Sequence, residues 1–132
     1  MKLSAFLTIA GLLALAFGLS FLFAPGATLA PYGVTTDAAG IYMSRYFGTA
    51  LVQLGLVIFL ARRVGDPAAQ RAIVLGSFVG VVAGLGVALS AQLARAVNAL
   101  GWSTVGIYVL LALGYGYFLF TRPRVGAPRH AA

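Results

Sequence analysis

The sequence predicts an all-α, polytopic membrane protein: a single four-helix transmembrane bundle over residues 1–132, with both termini in the cytoplasm. Three observations predict it. Four apolar segments, at 3–23, 39–61, 72–94 and 102–120, each supply about 28–35 Å of helix, enough for a hydrocarbon core of about 30 Å. Only 8% of the residues are charged while 61% are hydrophobic, too little charge to cover a soluble domain of this size. The basic residues also sort by connection. Lys2, Arg62, Arg63, Arg71, Arg122, Arg124 and Arg129, seven of the nine, fall on one side, and Arg45 and Arg95 on the other. A bias of that size predicts one orientation rather than insertion both ways.

The first segment follows Met1-Lys2, as a signal peptide would, but its apolar run is too long for a signal h-region, and it is read as a retained span. Ser4, Thr8, Gly11, Ala14 and Gly18 form a row of small residues over about 120° of its surface. Residues 24–38 then make a long outer loop punctuated by Pro25, Gly26, Pro31 and Gly33. Thr35, Thr36 and Asp37 close it as candidate N-caps for the second span.

The second span, GIYMSRYFGTALVQLGLVIFLA, carries the most polar face of the chain. Tyr42, Arg45, Thr49 and Gln53 lie within about 80° of one another around the helix, bordered by Gly48. Two readings of Arg45 stand side by side. It is near enough to the outer boundary to snorkel, as an interfacial anchor on phosphate or water. Turned inward instead, it would line an outward-facing pocket with Tyr42, Thr49 and Gln53, joined by Thr104 and Tyr108 of the fourth span. Such a pocket suits an apolar ligand with a polar head, a lipid or a quinone. Asp37 is the acid placed to pair with Arg45, and Gln53, in mid-span, is expected to hydrogen-bond another helix.

The inner turn RRVGDPAAQR contains Gly65-Asp66-Pro67, a helix stop and restart. In the third span Ala72, Gly76, Gly80, Gly84 and Ala88 repeat every four residues, a glycine-zipper pattern sweeping about 160°. Helices in lipid associate through close backbone approach, so this span is expected to be central and its row to pack within the chain, or else against another subunit. In the fourth span Trp102 at one end and Tyr115, Tyr117, Phe118 and Phe120 at the other resemble interfacial belts. Leu54-Gly55-x3-Phe59-Leu60 before Arg62 echoes Leu113-Gly114-x3-Phe118-Leu119 before Arg122; chance likeness between apolar helices is a simpler source than a two-plus-two duplication. His130 lies in a short basic tail, 121–132, and is read as solvated.

The chain has no cysteine or glutamate, one histidine, and Asp37 and Asp66 as its only acids. Thiol chemistry and thiolate metal sites are excluded, and acid–base catalysis is left almost without side chains. The reading is therefore non-enzymatic, without a metal or cofactor. The net charge of +7 flanks apolar spans, which points to anionic lipid headgroups as partners and not to nucleic acid.

At Arg45-Tyr46-Phe47-Gly48, followed by Gly55, a basic turn and a Gly-rich third span, the chain resembles a family of small four-span bacterial inner-membrane proteins of unknown function. It departs from that family in having no acid in the fourth span, so an Arg–acid pair across the bundle is not implied. The resemblance implies a fold and a bacterial inner membrane, and no activity. The expected function is a structural or accessory subunit acting through helix packing, with itself or with a larger membrane complex. The alternative is a binder or carrier of an apolar ligand at the pocket around Arg45.

Overall fold

The computed structural model describes residues 1–121; the tail, with Arg122, Arg124, Arg129 and His130, lies outside the described residues. Its helices are α1 (Leu3–Phe23), α2 (Pro25–Leu29), α3 (Ala38–Ala61), α4 (Pro67–Leu93) and α5 (Gly101–Thr121), with a 3₁₀ turn at Ala30–Tyr32. No strand occurs among the described residues. The four long helices, α1, α3, α4 and α5, are each long and apolar enough to cross a membrane. The four run alternately up and down, so the start of α1 and the end of α5 share one pole, where Phe6 meets Tyr115 and Phe118. That pole also carries Lys2, Arg62, Arg63 and Arg71, and is called the basic pole below; the opposite one is the loop pole.

Local chemistry sets the helix boundaries. Asp37 caps α3, its carboxylate accepting from the Gly40 N–H at 2.9 Å. Asp66 caps α4 by accepting from Ala68 and Ala69, and Pro67 occupies the first helical position, where its missing N–H costs nothing. That cap starts α4 at 67, several residues before the apolar run. α4 ends in a Schellman motif: Ala96 N–H bonds to the Ala91 carbonyl, Arg95 N–H to that of Gln92, and Arg95 takes the left-handed conformation with φ 54°. The outer connection, expected as a loop, contains α2 because Pro25 starts a short helix immediately after α1 ends.

The bundle is two antiparallel hairpins. α1 packs along α3 for most of its length and α4 along α5, whereas contacts between the hairpins are few. The α1–α3 seam is built on glycines spaced by seven on both helices. A Cβ on Gly11 would lie 2.8 Å from the Phe59 backbone N, and one on Gly18 2.7 Å from that of Val52. Reciprocally, a Cβ on Gly48 would lie 2.5 Å from the Leu22 N, and one on Gly55 2.9 Å from the Gly11 carbonyl oxygen. Backbone touches backbone at both levels, the packing that lipid-embedded helices use in place of a hydrophobic drive.

Two expectations are corrected here. α4 is not the central helix. Of its small-residue row, Gly84 seats the Tyr108 ring, but Gly76 and Gly80 meet nothing within 4 Å and Ala72 is exposed. The aromatic belt is also only half a belt. Tyr115 is 1% exposed and Phe118 is buried; both stack on Phe6 of α1, with centroids 4.8 and 5.5 Å away, while Tyr117 and Phe120 face outward. These rings, with Leu7, Ala10, Ile58, Ala61 and Val74, form the core. It sits toward the basic pole, where it joins the two hairpins.

Candidate functional site

Of the six residues expected to line a pocket, the structure separates those of α3 from those of α5. On α3, Tyr42, Arg45, Thr49 and Gln53 are all exposed, on the face turned away from the α1 seam. Their polar atoms are engaged locally or left open. The Tyr42 and Tyr46 hydroxyls share a hydrogen bond at 3.1 Å with their rings edge to face, and the Thr49 hydroxyl donates to the Arg45 carbonyl at 3.0 Å. The Arg45 guanidinium makes no ion pair, with Asp37 or otherwise, among the described residues. Among the described residues Gln53 has no hydrogen bond to another helix, contrary to expectation, because α3 presents it away from the α1 seam.

The α5 members point into the other hairpin. The Tyr108 ring fills the notch at Gly84 on α4, and the Thr104 hydroxyl donates to the Tyr32 hydroxyl at 3.3 Å. Tyr32 belongs to a clasp at the loop pole that the sequence reading missed. The Asn98 side-chain amide donates to the Pro31 carbonyl at 2.9 Å, its backbone N–H donates to the Tyr32 carbonyl at 3.0 Å, and its side-chain oxygen accepts from the Leu100 N–H. Asn98 thus caps the approach to α5 and ties the first loop to the last one. An asparagine three residues before Gly101 carries a legible capping signal; its second partner, 67 residues away, has none.

At the basic pole Arg71 donates from Nη1 to the Leu119 carbonyl at 3.1 Å, capping the last turn of α5 with a cation and fastening it to the second turn of α4. Arg62, the C-cap of α3, lays its guanidinium over the Phe59 ring, 3.5 Å from carbon to centroid. Among the described residues, the buried side-chain atoms without a hydrogen-bond partner are Arg62 Nη1, Gln92 Oε1 and the Tyr115 hydroxyl. The last lies beside Ser77, the buried polar side chain of α4, without reaching hydrogen-bond geometry. No group of three His, Cys, Asp or Glu side chains that could hold a metal occurs among the described residues.

Comparison with protein-family models, with curated proteins and with solved structures finds no match to this chain.

Proposed function

We propose that the protein is a small integral subunit of a bacterial inner membrane, with both termini cytoplasmic, acting structurally through helix packing with a second copy or a larger complex. One observation carries this reading: the chain leaves packing surface unused in mid-membrane. A Cβ on Gly76 or Gly80 would meet nothing within 4 Å, and Gln53, about 13 Å along α3 from Arg62, is exposed with no hydrogen-bond partner among the described residues. Small residues admit a close neighbour, and a carboxamide in hydrocarbon is costly until another helix hydrogen-bonds it. The scarcity of acids, the single histidine and the absence of cysteine support a non-enzymatic role. The binder of a lipid or quinone around Arg45 remains the second proposal. It is supported by the unpaired guanidinium, and it needs another chain to close the pocket that α5 does not close.

The cysteine-free sequence makes the test clean. Gly80→Cys and Gln53→Cys variants, oxidised in the membrane, are expected to give cross-linked species, and the wild type in mild detergent is expected to co-purify with a second chain. A monomer that never cross-links but retains a small molecule would favour the second proposal.

A further inference from the structure

The basic pole of α1 and α3 carries a second feature, independent of any partner chain. The first helix begins without a cap. Lys2 stands at the N-cap position with no side-chain hydrogen bond, and the first helical bond of α1 is Phe6 N–H to the Lys2 carbonyl. The N–H groups of Leu3, Ser4 and Ala5 therefore have no acceptor in the helix, and no acid occupies the first turn. α3 and α4 each receive a side-chain oxygen at this point, from Asp37 and Asp66, and the first N–H groups of α5 bond to the carbonyls of Asn98, Ala99 and Leu100.

Arg62 leaves α3 at the same level. The pairing of Gly11 with Gly55 and of Gly18 with Gly48 fixes an antiparallel register that sets Arg62 opposite Ser4. Its guanidinium is half-buried, with one face covered by Phe59 and Nη1 buried without an acceptor. A guanidinium cannot discharge by losing its proton, so a buried donor of this kind calls for an anion. The described residues offer none. Asp37 lies at the loop pole, and Asp66 directs both of its oxygens to the N–H groups of Ala68 and Ala69. Arg63 and Lys2 add charge at the rim.

We propose that this pole binds the phosphate of one anionic phospholipid, held by the Arg62 fork and the uncapped first turn of α1, with Lys2 and Arg63 beside it. Helix N-termini and arginine forks both match a tetrahedral oxyanion. A lipid is favoured over a free anion by position. The site lies where two spans end, at the depth of headgroup phosphates, and exposed apolar side chains run from it into the bilayer, among them Leu60 and Ile9. The site is complete within one chain, so its failure would leave the packing proposal untouched.

The test uses the full chain in mild detergent, with bound lipid counted by native mass spectrometry and stability followed by thermal unfolding. The additions are phosphatidylglycerol, phosphatidylcholine or inorganic phosphate at equal concentration. Wild type is expected to retain one phosphatidylglycerol and to gain stability from that lipid alone. Arg62→Lys keeps the charge and the stem but loses the fork, and is expected to bind phosphatidylglycerol about tenfold more weakly. Arg45→Gln, at the other pole, is expected to bind as wild type does. Undiminished binding by Arg62→Lys, an equal loss in Arg45→Gln, or equal stabilisation by phosphatidylcholine would overturn the proposal. Full protection by inorganic phosphate would replace the lipid with a free anion and overturn it too.

Discussion

A guanidinium on the exposed face of α3, about 25 Å along the helix from Arg62, lies within about 5 Å of the far edge of a hydrocarbon layer about 30 Å thick. At that depth a long side chain reaches the headgroups, and the structure gives Arg45 no ion pair that would hold it elsewhere. Lysine has the same reach. Arg45→Lys is therefore expected to change thermal stability by less than about 0.5 kcal/mol, measured by unfolding in detergent. A marked loss, accompanied by loss of a co-purifying small molecule, would mean that the planar fork grips a ligand in two places, which lysine cannot do. The sequence was a good guide to which α3 residues share a face, because a 100° step per residue decides that alone. It was no guide to what the face meets. Gln53 and Arg45 look outward, and the residues expected to join them, Thr104 and Tyr108, have their partners in Tyr32 and at Gly84.

At the scale of helices, the rows of small residues show where local pattern stops being informative. In the most conspicuous row, on α4, Gly84 seats a ring but Gly76 and Gly80 are approached by none of the described residues. The seam that matters joins Gly11 and Gly18 to Gly48 and Gly55, and its second half was visible only as two separate glycines. Small residues state that a backbone can be approached; which helix approaches it is set by register and topology, and those are not local properties. The two sets respond differently to the same substitution. Gly48→Ile places a branched side chain where even a Cβ would lie 2.5 Å from the Leu22 backbone N, so α1 and α3 must separate. Overpacking of this kind is expected to destabilise by about 1–3 kcal/mol or more, lowering the thermal midpoint in detergent. Gly80→Ile meets open space and is expected to leave the monomer's midpoint unchanged while reducing cross-linking between chains. Equal destabilisation by both would mean that α4 packs inside the bundle after all.

For the molecule as a whole, the hairpins are joined at both poles by different chemistry: rings and the Arg71–Leu119 cap at one, the Asn98, Tyr32 and Thr104 hydrogen bonds at the other. Four helices long and apolar enough to cross a membrane were legible from length and hydropathy, since a single apolar segment satisfies its backbone in lipid by forming a helix. The clasp was not legible, because its partners are far apart in the chain. The proposal that the pole bearing Lys2, Arg62, Arg63 and Arg71 faces the cytoplasm rests on the distribution of basic residues along the sequence, and it is open to a direct measurement. Single cysteines can be placed in the otherwise cysteine-free chain, one per pole. Thr35 is exposed in the first loop and serves better than Gly33, whose φ of 72° would strain any side chain. Gly65 is exposed in the second connection with nothing within 4 Å. In intact spheroplasts a membrane-impermeant thiol reagent is expected to label Thr35→Cys at once and Gly65→Cys only after permeabilisation. The reverse pattern would invert the protein and place the Arg62 pole in the outer leaflet. Labelling of both in intact cells would mean that a seven-to-two bias fails to fix the orientation. The lipid site would then be presented to both leaflets, and the charge asymmetry would have to be explained by lipid binding at that pole alone.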